Sequence, residues 1–375
     1  MRPIDRWYRL RDRLLADPRF QRFAAAFPLT RPIARRRARG LFDVVAGFVY
    51  SQVLAAAVEV GLFDVLADGP QTAAAIGRRT GLPEEGAHRL LAAAAALDLA
   101  QPRGTDAGGT PLWGLGAQGA AMTANPGIAE MVRHHALLYA DLADPVALLK
   151  GENRDTALSR FWAYARSDNP GEADAEAVAA YSRLMAATQP MIAEEVLAAY
   201  PVRRHRVLMD VGGGEGAFLI HAAAAAPDLE VRLFDLPSVA ARAAQRFAAA
   251  GLADRARVHG GSFLTDPLPR GADLISLVRI VHDHDDPQAL AILRAVRAAL
   301  PDDGTLLLAE PMSGTADAEP IGDAYFGFYL MAMGSGRPRT AAELEDLLHA
   351  AGFGRFRHRR TRRPMLTRVL SARPA

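Results

Sequence analysis

Hydrophobic positions along this chain recur with one period before residue 206 and with another after it. In the first part a three-to-four residue spacing dominates. Trp7, Leu10, Leu14 and Leu15 follow it among arginines, which predicts an amphipathic helix over the first forty residues, broken at Pro28 and Pro32. Gly47 to Ala100 reads as a compact helical region whose turns are GLFD (61–64), DGP (68–70) and GLPEE (81–85). Residues 71–77, then Gly81-Leu82, then 87–91 read as helix, turn, helix. Residues 101–125, rich in Gly, Thr and Pro, predict a loop or small wing. Residues 126–200 return to helices carrying Met131, Tyr139, Trp162, Tyr164 and Tyr181 on apolar faces, where core and ligand-lining roles look alike.

From residue 206 short apolar runs alternate with helical patterns. Strands are predicted at 206–211, 230–235, 256–259, 272–281 and 305–309, with helices to about 226 and at 238–250, 287–300 and 340–351. Strands alternating with helices give an α/β domain with a parallel, Rossmann-like sheet covered on both faces. The expected divisions are a basic extension (1–46), a small helical domain (47–125), a helical connector that contributes to a substrate pocket (126–200) and the α/β domain (201–375).

Composition narrows the class. Of 375 residues half are apolar and 23% charged, which excludes a mainly disordered or fibrous chain. Absence of cysteine excludes disulfides, iron–sulfur ligation and thiol catalysis. No stretch of 18 uninterrupted apolar residues occurs and no secretory signal is evident, so no spanning helix and a cytoplasmic location are expected. The net charge of +2 conceals an asymmetry: residues 1–40 carry twelve arginines against Asp5, Asp12 and Asp17, and residues 355–375 carry eight arginines and no acid. Basic ends on an acidic body suit an anionic membrane surface, which residues 1–40 would touch at the inner face of the cytoplasmic membrane, or are simply solvated. Nucleic acid is not expected as a partner, because the second helix of the helix-turn-helix is mostly alanine and leucine with Arg89 nearly its only basic group.

Two motifs carry the chemistry. Asp210-Val211-Gly212-Gly213-Gly214-Glu215-Gly216 lies between a predicted strand and helix, where glycines let the backbone approach a ligand. Asp235 ends the next strand, placed to accept both hydroxyls of a ribose; the glycines alone fit a dinucleotide equally well. The second motif, Arg279-Ile280-Val281-His282-Asp283-His284-Asp285-Asp286, follows the fourth strand of the α/β region, so His282 sits at the carboxyl edge of the sheet. A neutral histidine there can take a proton from a hydroxyl. Its rivals are a helix-capping histidine without chemistry and a zinc site, since His282-x-His284-x-Asp286 has the form of a metal-ligand set.

Together these motifs resemble the small-molecule O-methyltransferases of the plant caffeate and acetylserotonin type. The matching segments are DVGGGEG (210–216), FDLP (234–237), HGGSFLTDPLP (259–269), VRIVHDHDD (278–286) and LLLAEPM (306–312), with residues 62–82 similar to that family's dimerisation domain. The resemblance implies a class I methyltransferase domain preceded by a mostly helical, winged-helix-like dimerisation domain. It also implies S-adenosylmethionine as methyl donor, a homodimer and no metal. Residues 5–52, 131–151 and 161–164 look like the carotenoid branch, the hydroxyneurosporene or demethylspheroidene O-methyltransferases of phototrophic bacteria, so a 1-hydroxycarotenoid is the expected substrate. Tyr325, Phe326, Phe328, Tyr329, Met331 and Met333 would line its tunnel or belong to the core. A tetrapyrrole or phenol is the alternative acceptor, and a DNA-binding regulator the alternative of another class.

Carried over residue by residue, the resemblance puts Asp210, Gly212, Gly213, Gly214 and Gly216 around the methionine part of the cofactor. Asp235 meets the ribose, Leu236 is counted with the cofactor-binding residues, Ser262 and Phe263 flank adenine, and Arg279 lies at the cofactor-side strand end. His282 is the base and Glu310 an acid that steers it. The chain departs from the family at three places. Ser262 replaces an Asp, His284 replaces a Trp, and Pro338 stands where a second glutamate is usual. Asp283 is the substitute at hand for that glutamate, although neighbours on a strand end point opposite ways.

Overall fold

The computed structural model describes residues 2–165 and 175–375; the side chains of Tyr164 and Tyr181 lie outside the described residues. The chain forms two compact units, 1–124 and 125–375.

The first unit begins with α1 (Pro3–Ala16), α2 (Pro18–Ala26) and α3 (Arg31–Glu59). The first break falls at Asp17, not at Pro28 alone, because Pro18 starts a new helix and the Asp17 carboxylate accepts from the Arg19 N–H at 2.7 Å. Pro32 opens α3 instead of breaking it. The expected boundary at residue 46 therefore falls inside a continuous helix. α3 also corrects the expectation that no helix could span a bilayer. By length and composition it is long and apolar enough, with a mean hydropathy of 1.8 over 18 residues despite polar interruptions. Then come α4 (Leu62–Ala67), β1 (Gln71–Thr72), α5 (Ala73–Thr80), α6 (Glu84–Ala96), β2 (Ala100–Thr105), β3 (Pro111–Leu115) and α7 (Ala117–Thr123). The small sheet, ordered β1-β3-β2, makes residues 101–115 the wing of a winged helix-turn-helix.

The second unit opens with α8 (Pro126–Asp141), α9 (Pro145–Leu149), α10 (Ala157–Ala165) and α11 (Ala175–Ala199). Its centre is built from β4 (Val207–Val211), α12 (Ala217–Ala225), β5 (Glu230–Asp235), α13 (Pro237–Ala249), β6 (Ala256–Gly260), β7 (Leu274–Val278), α14 (Asp286–Ala299) and β8 (Thr305–Glu310). α15 (Phe326–Met333), α16 (Ala341–Ala350), β9 (Phe353–Arg359) and β10 (Arg368–Pro374) complete it. The seven strands run β6-β5-β4-β7-β8-β10-β9: the first five are parallel, β10 runs against them, and β9, antiparallel to β10, runs with them again. The sheet is thus mixed, because the basic C-terminal stretch folds back as a hairpin.

Leu208, Leu274, Leu277 and Leu307 of the central strands are fully buried, each worth about 1.5–3 kcal/mol of apolar burial. This core fixes the strand ends. Strand order reverses between β4 and β7, and at such a switch point a crevice opens beyond the carboxyl edge of the sheet. Val211, Asp235, Val278 and Glu310 all end strands at that edge.

Candidate active site

The glycine turn after β4 is shaped by its neighbours. Gly212 has φ +71°, its N–H donates to the Phe234 carbonyl at 2.8 Å, and a Cβ there would lie 2.6 Å from Ile280 Cδ1. Gly214 has φ +59° and faces open space, with no atom within 4 Å of a Cβ built on it. The turn is therefore tight on its protein side and open on the other, a cradle that suits a ligand against backbone. Gly213 closes onto Asp210 and Gly216 onto Phe247.

Two acids stand at this edge. The buried Asp210 accepts from Ser276 Oγ at 2.6 Å, and burial pushes its carboxyl up to about 7. Asp235 accepts from the Gly214 N–H at 2.8 Å and the Leu236 N–H at 2.7 Å, and burial pushes it up to about 6. Glu215 does not join them; it pairs with Arg242 and Arg246 of α13. Phe263 and Ile280 border the position of a Gly212 Cβ, and the Phe263 ring meets His284 edge-on at 5.5 Å. The Ser262 N–H donates to Asp266 Oδ2 at 2.8 Å, so an acid does stand beside Ser262, four residues along. Asp266 was not singled out from sequence, since one carboxylate in an acidic loop carries no signal.

His282 is buried in a short 3-10 turn, Val281–Asp283. Its Nδ1 bonds to Glu310 Oε2, while Glu310 Oε1 accepts from the N–H groups of Ile280 (3.1 Å) and Val281 (2.8 Å). Asp283 Oδ1 lies 3.1 Å from His282 Nε2. This corrects the expectation that adjacent residues would diverge: in a 3-10 turn the two-residue alternation of a strand no longer holds. Burial opposes charge on the ring, but the Asp283 and Glu310 carboxylates outweigh it and hold the imidazole pKa above the ordinary 6.5. Arg279, just before this turn, adopts φ +58°, an unusual conformation for a side-chain-bearing residue.

A second group of polar aromatic residues completes the site. Tyr329 OH bonds to His134 Nε2 at 2.7 Å and accepts from Trp162 Nε1 at 2.9 Å, and Tyr325 OH bonds to His135 Nε2 at 2.8 Å. Burial lowers both histidines, His134 to about 4, so they stand neutral near pH 7. Phe326 connects this group to the His282 ring at 6.0 Å. Of the residues expected to line a tunnel, Tyr329 and Met333 also belong to a buried cluster, and Met331 faces outward. His134 and His135 were missed because they sit in a helical apolar stripe without a recognisable spacing.

The profile of the O-methyltransferase domain matches residues 139–354, and that of the O-methyltransferase dimerisation domain matches 42–125. The chain belongs to the O-methyltransferase family. It is 47% identical to the demethylspheroidene O-methyltransferase of Cereibacter sphaeroides, over 97% of this chain and 94% of that protein. Against the enzyme of the same name from Rhodobacter capsulatus identity is 42%, over 96% and 88%. The fold is shared with human N-acetylserotonin methyltransferase solved in complex with SAM, at TM-score 0.75 and 24% identity, covering 90% of this chain and 98% of that one. This O-methyltransferase thus has the class I methyltransferase sheet, preceded by the helical dimerisation domain. The helix-turn-helix of residues 73–96 lies within the match to the dimerisation domain.

Proposed function

We propose that this enzyme methylates the hydroxyl of a 1-hydroxycarotenoid, with His282 as general base. The observation that carries the reading is the row of buried Glu310 and His282 with half-buried Asp283 at the carboxyl edge of the sheet, beside the open glycine cradle. The names of the two carotenoid-pathway relatives supply the substrate class.

When bound, S-adenosylmethionine supplies a methyl carbon already activated by its sulfonium. The residues present fit it: the open face at Gly214 admits it, Asp235 offers carboxylate oxygens to a ribose, and Ile280 and Phe263 pack apolar surface against the turn at Gly212. The protein then has to align the acceptor and exclude water. Glu310 fixes Nδ1 as the protonated nitrogen, which leaves Nε2 to receive the acceptor proton. While the ring carries both protons, Asp283 Oδ1 accepts from Nε2–H; once Nε2 has lost its proton, the acceptor hydroxyl donates to it instead. A tertiary alcohol is too weak an acid to ionise first, so proton removal accompanies methyl transfer. Such assistance contributes about 10²–10⁴-fold. The Tyr325 and Tyr329 hydroxyls are engaged by His135 and His134, so the tyrosines can present ring surface to a polyene.

The enzyme works as a homodimer. Exposed Phe42, Val44, Val45 and Phe48 fall at the start of the dimerisation match, where a partner subunit would cover them. Residues 1–40 precede it and combine exposed Trp7, Leu10, Leu14, Phe23 and Phe27 with twelve arginines. We propose that they hold the cytoplasmic enzyme against an anionic membrane surface, each basic group adding about 1 kcal/mol. Deleting residues 1–40 should reduce sedimentation with phosphatidylserine or phosphatidylglycerol vesicles; full binding, or dissociation to monomers, would assign the segment to the dimer instead.

The substrate is tested by offering the purified enzyme labelled S-adenosylmethionine with hydroxyneurosporene, a bacteriochlorophyll precursor and a catechol in parallel. Label in the carotenoid supports the reading. Label only in the tetrapyrrole or phenol overturns it.

A further inference from the structure

The turn bearing His282 is gripped on its carbonyl side by one remote segment, residues 335–339. We propose that this segment, centred on Arg339, is a positioning device that aims the His282 ring and sets the reach of Asp283. The inference rests on the reading of His282 as base.

The three carbonyls of the turn and that of His284 after it are each taken by this segment. Val281 O accepts from Arg339 Nη1 at 2.8 Å, His282 O from the Arg337 N–H at 3.0 Å, Asp283 O from Ser335 Oγ at 2.9 Å and His284 O from Arg339 Nη2 at 2.7 Å. The grip continues beyond them. Asp285 Oδ1 accepts from the Gly336 N–H at 3.0 Å, and Asp286 Oδ1 from Arg339 Nε and Nη2 at 2.9 and 2.7 Å. Arg339 is 2% exposed, so one buried guanidinium ties both ends of the turn to the start of α14. Gly336, at φ +82°, lies so close that a Cβ would collide with the His282 carbonyl oxygen.

The segment is itself anchored. Thr340 caps α16 through a reciprocal pair with Glu343, which also binds Arg337 at 2.7 Å, and the Arg339 carbonyl accepts from the Ser313 N–H at 2.9 Å. On the opposite side, Glu310 takes the N–H groups of Ile280 and Val281. The His282 backbone is therefore fixed from both faces. A three-residue turn could satisfy its carbonyls with water and would then rock. Bonding all of them to one rooted segment removes that freedom, and a misplacement of about 1 Å can cost about 10²-fold in rate.

The test follows the imidazole of His282 by ¹⁵N NMR across pH in the full-length protein, together with kcat, KM and calorimetric affinity for S-adenosylmethionine. In Arg339→Met the His282 titration should move down towards the ordinary histidine value as Asp283 and Glu310 lose their alignment. Its kcat should fall about 10²-fold with cofactor affinity unchanged. Arg339→Lys should restore little, because one ammonium cannot serve two carbonyls and a carboxylate at once. A folded Arg339→Met with wild-type titration and kcat would overturn the proposal. If that variant does not fold, Gly336→Ala decides: the same downward shift supports the device, and an unmoved titration rejects it. Because the NMR readout needs no acceptor, it separates this inference from the base assignment, which fails only if His282→Ala retains turnover.

Discussion

Replacing Glu310 by glutamine changes one atom and should nearly silence the enzyme. Glu310 is 1% exposed, and its Oε1 accepts from two backbone N–H groups, those of Ile280 and Val281. In the variant the amide oxygen must stay on those donors, since turning the NH₂ towards them would leave buried N–H groups unpaired at about 1–3 kcal/mol each. The NH₂ then points at His282 and donates to Nδ1. That forces the tautomer with its hydrogen on Nε2, and Asp283 Oδ1, 3.1 Å away, stabilises it by accepting. The ring keeps its place but has no lone pair for the acceptor hydroxyl. A fixed wrong tautomer costs up to about 10⁴ in kcat, or about 5 kcal/mol of transition-state stabilisation. The assay is the initial rate of methyl transfer at saturating S-adenosylmethionine, with calorimetric affinity and thermal melting as controls for binding and fold. A folded variant within about tenfold of the wild-type kcat would refute this role for Glu310.

Other expectations follow from the same geometry. Asp235→Ala should weaken S-adenosylmethionine by about 1.5–3 kcal/mol in calorimetry without unfolding the protein, by loss of a charged acceptor. In the wild type, a carboxyl raised to about 6 is neutral below that pH, so affinity should fall as pH drops through about 6; a flat profile would remove Asp235 from the cofactor site. Asp283→Asn removes one of the two charges that raise His282, so the rising limb of kcat against pH should move to lower pH, and an unmoved limb would show that the contact does not form in solution. Gly214→Ala should cost only about 1–2 kcal/mol of stability from its left-handed backbone, since its Cβ meets no protein atom, yet lose far more in cofactor binding. Equal losses in chemical denaturation and in calorimetry would mean that the open face is not where the cofactor lies.

Sequence made the central sheet legible because its strands are short, apolar and bounded by turn residues. β5 begins and ends where alternation and Asp235 place it. The strand expected over 272–281 ends at Val278, because Ile280 and Val281 continue the apolar run after the backbone has left the sheet at Arg279. α15 went unseen: FGFYLMAM is apolar on every side and offers no period to read. The break at Asp17 was hidden by arginines and apolar residues that keep their spacing across it. Around the base, the partnership with Glu310 was legible only through the family resemblance, whereas the bond to Asp283 depends on a 3-10 turn that composition does not signal. Arg339 was least legible. An arginine within GSGRPRT reads as a solvated loop residue, and only the fold reveals the carbonyls that it meets.

The most direct test of the account is the pH dependence of a single turnover in wild type and His282→Ala, using labelled S-adenosylmethionine and hydroxyneurosporene. The account predicts a labelled methyl ether from the wild type, formed at a rate that rises with pH through an inflection above 6.5, where the buried imidazole loses its proton. His282→Ala should bind the cofactor normally, lack that inflection and be slower by about 10²–10⁴-fold. A His282→Ala enzyme that forms the ether at the wild-type rate with the same inflection would contradict it.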